Sequence, residues 1–160
     1  MNQRLRSAGI VAAVVIIDRI TKLYVQSEFS PLDVVEVIPG FFNIVHTENP
    51  GAAFGLLATA SEEWRSFALV GLSVVVMGVI GWMLFRARSP ETKLTQVGLA
   101  LVLGGALGNL WDRAVRGTVT DFLQFFFGSY EYPSFNAADS AICIGAGLLI
   151  LDMLRSRRTR

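Results

Sequence analysis

Residues 120–139 read TDFLQFFFGSYEYPSFNAAD, and this stretch decides the predicted fold because it joins two apolar runs that are long enough to be membrane helices. It carries an acidic residue near each end, Asp121 and Asp139. If the two flanking helices run in opposite directions, both carboxylates emerge at the same face of the bilayer. Two interpretations then remain open: the two acids perform chemistry together, or they are solvated side chains of an interfacial loop.

Composition favours a membrane protein. The chain has 160 residues, which suits a single domain covering residues 1–160, and its 52% hydrophobic content and mean hydropathy of +0.51 exceed what a soluble core needs. The net charge of +1 says little about partners, and we predict no nucleic-acid partner. Cys143 is the one cysteine and is expected to be a small core residue. His46 is the one histidine and is expected to be a polar strand residue, so we predict neither a metal site nor a cofactor.

Four apolar segments are predicted to be transmembrane helices. They run from about Ser7 to Val25, from Trp64 to Phe85, from about Leu94 to Trp111 and from about Ala137 to Leu154. As a helix the second segment would be roughly 33 Å long, which is enough to cross a hydrocarbon core of about 30 Å. None of them shows the alternation of a half-buried strand, so the predicted fold is an all-α membrane protein.

Basic residues indicate how these helices are oriented. They precede the first span, lie between the second and third spans, and follow the fourth: Arg4, Arg6, Arg86, Arg88, Lys93, Arg155, Arg157, Arg158 and Arg160. By the positive-inside rule, these ends are cytoplasmic. Both termini are therefore predicted to be cytoplasmic, and the two other connections, residues 26–63 and 112–136, to face outward.

The two outward connections contain strand-like sequence. Pro39 and Gly40 separate two β-prone runs in residues 33–49, which predicts a hairpin with a type II turn. Residues 117–127, GTVTDFLQFFF, favour another strand, and residues 125–127 are expected to form an aromatic loop at the interface. Thr59 or Ser61 is predicted to cap the second helix. We expect a small β-sheet and a short helix on the outer face.

Ionisable residues lie within or at the ends of the predicted helices, where they are costly and usually face a bundle interior or a water-filled cavity. Asp18 and Lys22 are four residues apart, so they share one face of the first helix. They form either a structural pair or the support of a site. Asn109, Asp112 and Arg113 share a face of the third helix. Asp112 and Arg113 are each expected to have a partner elsewhere, although a simple charge cap at the helix end is the alternative.

Polar residues also flank the remaining segments. Asn136 and Asp139 point the same way at the start of the fourth helix, and Asn49 precedes Gly51 in a turn whose small residues let a ligand approach. With Asp121, these groups are predicted to converge on one membrane face. Two aspartates without an evident basic partner suit hydrolysis by paired carboxylates, one ionised to activate water and one protonated to polarise a carbonyl.

Five ordered motifs resemble those of bacterial lipoprotein signal peptidase, also called signal peptidase II, over nearly the whole chain. They are Asp18-Arg19-Ile20-Thr21-Lys22, Asn49-Pro50-Gly51-Ala52-Ala53-Phe54, Gly104-Gly105-Ala106-Leu107-Gly108-Asn109 with Asp112-Arg113, Thr120-Asp121-Phe122, and Phe135-Asn136-Ala137-Ala138-Asp139. One departure is Thr120, where the family pattern has an aliphatic residue; the Thr120 hydroxyl is expected to adjust the hydrogen bonding of the neighbouring carboxylate.

The resemblance implies a role for each polar cluster. Asp121 and Asp139 would form the catalytic dyad of an aspartyl endopeptidase. The substrate would be bound by Asn49, Gly51, Asn109, Arg113 and Asn136, with Asp18, Lys22 and Asp112 in supporting roles. No metal is implied.

The resemblance also implies the substrate, the location and the inhibitor of the enzyme. The enzyme would remove signal peptides from diacylglyceryl-modified prolipoproteins, cutting on the N-terminal side of the lipid-modified cysteine. It would be a multi-pass monomer in contact with lipid in the bacterial cytoplasmic (inner) membrane, with its active site at the outer face. Globomycin-type peptide antibiotics would inhibit it.

Two other classes of function remain as alternatives. A small transporter or channel subunit would use Asp18, Asp112 and Asp139 as an ion relay. An assembly factor would use the glycine-rich face of the third helix. A relay predicts ionisable residues through the full depth of the bilayer, whereas here they gather near one face. Activity on a lipidated precursor separates the peptidase from both alternatives.

Overall fold

The computed structural model describes residues 3–51, 62–86 and 92–158. These residues form four helices, α1 (Gln3–Glu28), α2 (Glu62–Phe85), α3 (Lys93–Arg116) and α4 (Ala137–Arg158), and four strands, β1 (Val34–Ile38), β2 (Phe42–Asn49), β3 (Val119–Phe127) and β4 (Tyr130–Phe135). Three helical segments are long and apolar enough to cross a membrane: Phe67–Phe85, Lys93–Arg116 and Ala137–Ser156. The predicted combination of membrane helices and a small sheet is therefore confirmed.

The helices differ from the prediction in three respects. Helix α1 has 26 residues but is not among the three apolar segments, since Asp18, Arg19 and Lys22 interrupt its apolar sequence. Helix α3 continues to Arg116, beyond the predicted end of the span at about Trp111, so Asp112 and Arg113 lie on the helix with Asn109, as their expected shared face requires. No separate short helix occurs within the described ranges. Several residues used in the prediction lie outside them: Thr59, Ser61, Arg88, Arg160 and residues 52–54.

Helix α3 is the centre of the bundle. Half of its apolar segment is buried within the protein, against 6% for that of α2. Two glycines let its neighbours approach closely. A Cβ atom on Gly105 would clash with the carbonyl oxygen of Ala138 in α4, and one on Gly108 would lie 2.5 Å from Oδ2 of Asp18 in α1. Larger residues there would separate the helices that carry the polar clusters.

The ends of α3 are capped by local interactions. Thr92 is the N-cap, and its hydroxyl accepts a hydrogen bond from the Thr95 N–H at 3.1 Å. Asp152 of α4 accepts from the Thr92 hydroxyl at 2.6 Å, which joins the two helices at this end. At the other end, Gly117 adopts the left-handed conformation with φ 78° and donates its N–H to Arg113 O. The chain then enters β3, which carries Asp121.

The sheet is antiparallel with the strand order β1-β2-β3-β4. The predicted hairpin is confirmed: Phe41 N–H donates to Ile38 O at 3.0 Å, and Gly40 has the positive φ, 67°, that a type II turn requires. Strand β3 is also confirmed, but it includes Phe125–Phe127, which we expected in a loop. Strand β4 was not predicted. It contains Pro133, which an edge strand tolerates because the missing N–H removes no ladder hydrogen bond.

Candidate active site

Asp121 of β3 and Asp139 of α4 line one cavity of about 750 Å³, so the structure brings together the two acids that the sequence singled out. The other lining residues are Phe41, Asn49, Asn109, Arg113, Val119, Phe125, Phe127, Tyr130, Tyr132, Pro133, Ser134, Phe135, Ser140 and Cys143. Cys143 is exposed, which corrects the prediction of a core residue. It lies one helical turn beyond Asp139, on the same face of α4.

Asp121 is buried and held by two asparagine amides. Its Oδ2 accepts from Asn49 Nδ2 at 3.0 Å, and its Oδ1 accepts from Asn136 Nδ2 at 2.7 Å. Burial raises the pKa of Asp121 from 3.8 to about 6; the charge of Asp139 acts in the same direction, whereas the two amide hydrogen bonds oppose it. A carboxyl with this pKa can carry a proton close to neutral pH.

Asp139 is placed by the N-terminus of α4. Asn136 precedes the helix and accepts the Asp139 N–H through Oδ1 at 3.0 Å, while Asp139 Oδ2 accepts the Asn136 N–H at 3.3 Å. These reciprocal bonds form a capping box in which asparagine and aspartate replace the more usual residue types. Asn136 therefore contacts both carboxylates, and the spacing of three residues noted in the sequence is explained.

Asn109 connects Asp139 to a buried lysine. Lys22 Nζ has only hydrogens to offer, so the atom of Asn109 that faces it at 2.9 Å must be Oδ1. This contact turns Asn109 Nδ2 toward Asp139 Oδ1, to which it donates at 2.7 Å. Asn136 Nδ2 also donates to Asn109 Oδ1, at 3.2 Å. Because Lys22 faces the amide oxygen of Asn109, Asp139 meets the amide nitrogen.

Behind the cavity, Lys22 joins α1 to α3. Its Nζ lies 2.9 Å from Asp18 Oδ2 and 2.8 Å from Asp112 Oδ2, and its side chain is fully buried. Asp112 Oδ2 makes no aligned hydrogen bond within the described residues, so that contact is an ion pair only. Asp112 Oδ1 accepts from Arg19 Nη1 at 3.0 Å, and Asp18 Oδ1 accepts from the Ala138 N–H at 2.9 Å. The expected Asp18–Lys22 pair and the remote partner of Asp112 are both confirmed.

Two further predicted residues lie near the two aspartates. Arg113 lines the cavity, and its Nε is buried without a hydrogen-bond partner in the part of the chain that the structure describes. Gly51 has φ 88° and donates its N–H to Asn49 Oδ1 at 2.8 Å, which turns the Asn49 amide nitrogen toward Asp121. A Cβ at Gly51 would also meet Leu69 Cδ1, so the end of that leucine side chain would have to move to admit a larger residue.

The aromatic wall of the cavity was not predicted as part of the site. Phe125 stacks on Phe42 at 4.7 Å and on Phe135 at 5.8 Å between ring centroids. Tyr130 and Tyr132 of β4 continue this lining. The only signal in the sequence was the density of aromatic residues between the two acids, and it did not show which rings face the cavity because β4 itself was not recognised.

Comparisons with known proteins show the family of this chain. A family model described as signal peptidase (SPase) II matches residues 10–155. The chain belongs to the signal peptidase II family. Members of this family cleave signal peptides from prolipoproteins, and the chain is a membrane peptidase. The resemblance found in the sequence is thus confirmed.

Relatives and solved structures match over nearly the full length. The lipoprotein signal peptidase of Solibacter usitatus is 44% identical over 97% of this chain and 94% of its own length. That of Maridesulfovibrio salexigens is 43% identical over 94% of this chain and 96% of its own. A solved structure described as a bacterial membrane enzyme, determined by the in meso method at 2.3 Å resolution, matches with a TM-score of 0.85 and 31% identity, covering 97% of this chain and 91% of its own.

Proposed function

We propose that Asp121 and Asp139 are the catalytic dyad of an aspartyl endopeptidase that cuts prolipoproteins on the N-terminal side of a diacylglyceryl-modified cysteine. The observation that carries the proposal is their arrangement: two carboxylates from different elements line one cavity, each oriented by asparagine amides, and the pKa of Asp121 is raised to about 6. Two neighbouring carboxyls whose environments differ can divide the roles of acid and base.

The dyad shares one proton. We assign it to Asp121, which is 3% exposed and whose raised pKa favours the protonated form. We assign the charged form to Asp139, which lies at the N-terminus of α4 and accepts two N–H groups, from Asn109 and from Asn136. The positive end of the helix dipole favours negative charge at that position.

Hydrolysis then proceeds in two steps. Asp139 takes a proton from water while the water oxygen attacks the scissile carbonyl carbon, and Asp121 donates its proton to the carbonyl oxygen. The resulting gem-diol returns a proton from one hydroxyl to Asp121, and Asp139 protonates the leaving nitrogen as the C–N bond breaks. The products are a signal peptide with a new carboxyl end and a lipoprotein whose modified cysteine carries a free amine.

Substrate binding uses the rest of the cavity. Its volume of about 750 Å³ suits a peptide segment of a few residues, and its aromatic wall suits apolar side chains. Arg113 Nε is buried and has no hydrogen-bond partner among the described residues, so it can donate to a substrate carbonyl. The amides of Asn49, Asn109 and Asn136 hold the dyad beside the bound substrate. Gly51 has no side chain, so the substrate backbone can approach there. Acyl chains would lie along the apolar outer surfaces of the helices.

The remaining features follow from this assignment. We propose that α1 is the fourth membrane span, because Arg19 and Lys22 pair with Asp112 of α3, and Lys22 also pairs with Asp18. Basic residues at both ends of the chain support cytoplasmic termini, which puts the dyad and the sheet at the outer face of the inner membrane. Residues 1–160 act as one peptidase domain and as a monomer, since one chain supplies both acids. Globomycin-type antibiotics compete for the same cavity.

The test is a gel-shift assay with purified protein and a diacylglyceryl-modified precursor, with and without globomycin. Asp121→Asn and Asp139→Asn should each abolish cleavage, because asparagine is nearly isosteric but can neither take nor supply the proton. The double variant should be hardly worse than either single variant, since members of one catalytic unit are non-additive.

Asp152→Asn is the matched control. Asp152 also accepts hydrogen bonds from neighbouring side chains, but it lies at the opposite end of α4 beside Thr92. This variant should cleave at close to the parental rate. Substantial cleavage by folded Asp139→Asn protein would refute the proposed dyad, and a parent protein that leaves the lipidated precursor uncut would refute the proposed substrate.

A further inference from the structure

The two strands that carry Asn49 and Asp121 also carry a polar cluster on their opposite face. Successive side chains of a strand alternate between faces, so Glu48 and Thr120, the sequence neighbours of Asn49 and Asp121, point away from the cavity. Glu48 and Thr120 are direct partners across the β2–β3 ladder. In both strands, a residue that faces the cavity is therefore the sequence neighbour of a residue of the polar cluster.

Glu48 is the hub of this cluster, which we call the Glu48 cluster: His46, Glu48, Arg116, Thr118 and Thr120. Its Oε2 accepts from the Thr118 hydroxyl at 2.6 Å, and its Oε1 accepts from the Thr120 hydroxyl at 3.0 Å and from Arg116 Nη2 at 3.2 Å. Although burial alone would raise it, the hydrogen bonds from Thr118, His46 and Thr120 hold the pKa of Glu48 below its ordinary value. The hub is thus a charged acceptor.

The cluster also attaches the strand pair to α1. Gln26 Nε2 donates to the Thr120 hydroxyl at 2.6 Å. His46 Nδ1 lies 2.8 Å from Phe29 O, and His46 Nε2 lies 3.1 Å from Glu48 Oε1. Since both neighbours are acceptors, both contacts are hydrogen bonds only when each ring nitrogen carries a proton. The Glu48 cluster therefore links the end of β2 to the helix whose Lys22 orients the amide beside Asp139.

Such an attachment is needed because the ladder between β2 and β3 is interrupted. Ile44 pairs with Leu123, but Thr47 pairs with Asp121, so β2 has one residue more than β3 between these pairs. A bulge of this kind leaves a residue unpaired and bends the strand. The segment that carries Asn49 is consequently only three paired residues long, and the structure has few backbone bonds to hold it in register.

We propose that Glu48 is a positioning residue for the reaction: by joining the end of β2 to Thr120 on β3 and to Thr118 just before that strand, it keeps the Asn49 amide on Asp121. The inference rests on the proposed role of Asp121. Glu48 itself does not touch the cavity. Its effect passes through the hydrogen bond from Asn49 Nδ2 to Asp121 Oδ2, which is 3.0 Å long.

The test measures kcat, KM and the pH profile of precursor cleavage by Glu48→Ala and Glu48→Gln. Glu48→Ala should lower kcat about tenfold, the loss expected for one well-placed hydrogen bond, and change KM by less than about twofold. The alkaline limb of the profile should move to higher pH, because the Asn49 hydrogen bond opposes the upward pKa shift of Asp121. Glu48→Gln should recover most of the loss, since its amide oxygen still accepts from the cluster.

Asn49→Ala provides the background that separates positioning from general stability. If Glu48 acts through Asn49, adding Glu48→Ala to Asn49→Ala should lower kcat by less than about a further twofold, because the two changes remove one interaction. Glu131→Ala is the matched control. It removes a cross-strand bond to Gln124 of 2.7 Å on the same sheet, and Glu131 does not line the cavity. Its kinetics should be parental.

Three results would overturn the positioning role: parental kcat and pH profile in Glu48→Ala, the same loss with and without Asn49, or an equal loss in Glu131→Ala. If Glu48→Ala does not fold, Thr118→Val replaces it, because this change removes only the 2.6 Å bond to Glu48. We then expect kcat to fall by about threefold with the same pH shift. An unchanged kcat in folded Thr118→Val would refute the positioning role. A parent protein without cleavage would instead refute the proposed function.

Discussion

Replacing the buried Lys22 with methionine is predicted to destabilise the fold severely. Methionine fills nearly the same apolar volume but supplies no charge and no donor. Lys22 Nζ is 2.9 Å from Asp18 Oδ2, 2.8 Å from Asp112 Oδ2 and 2.9 Å from Asn109 Oδ1. In Lys22→Met, two buried carboxylates would face each other without the cation between them, and the Asn109 amide would no longer be oriented.

The size of the effect follows from these contacts. Removing one partner of a buried ion pair costs about 3–5 kcal/mol, because an uncompensated charge remains buried. Asn109 Oδ1 also loses the hydrogen bond that Lys22 Nζ donates to it, although Asn136 Nδ2 still donates to it at 3.2 Å. We therefore expect a loss of at least about 3 kcal/mol of unfolding free energy. The double variant Lys22→Met/Asp112→Asn should recover part of it, because one of the two negative charges is gone.

The measurement is denaturant unfolding of purified protein in a mild detergent. Lys93→Met is the matched control, since Lys93 is exposed at the start of α3, and this change should stay within about 0.5 kcal/mol of the parent. A Lys22→Met protein within about 1 kcal/mol of the parent would refute the reasoning. So would a double variant less stable than Lys22→Met alone, because it would show that the two carboxylates do not repel each other.

Two further predictions concern the cavity. The pKa of Asp121 is raised from 3.8 to about 6, so its protonated form stabilises the fold below about pH 4, and this contribution is lost as the pH rises through about 6. Relative to Asp121→Asn, which does not titrate, the parent should lose about 3 kcal/mol of unfolding free energy between about pH 4 and about pH 7. If the difference in unfolding free energy between the two proteins did not change with pH, the burial argument would be wrong. Cys143→Trp should raise KM for the precursor by about tenfold or more, because the indole occupies cavity space, whereas Cys143→Ser should leave KM within about twofold. Equal KM values for the two variants would show that substrate does not reach Cys143.

Much of the fold follows from local sequence. The apolar runs predicted α2, α3 and α4, because a helix that satisfies its own backbone needs only length and apolar composition to be stable in lipid. Pro39 and Gly40 predicted the β1–β2 turn, since Gly40 tolerates a positive φ. The spacing of Asn136 and Asp139 reflects a capping box within four residues. Each of these signals depends on neighbours in sequence, which is why the sequence by itself could determine them.

Long-range contacts were decided by the tertiary structure. Lys22 meets Asp112, ninety residues away, only because Gly105 and Gly108 let α4 and α1 approach α3, and nothing in the local spacing of either residue specifies that meeting. Strand β4 forms against β3 although Pro133 weakens its local signal, because an edge strand needs partners on one side only. The orientation of each asparagine amide likewise depends on which donor faces it across the bundle. The sequence determined which polar residues the site contains; packing of the helices and the sheet decided the contacts between them, since those contacts join groups that are distant along the chain.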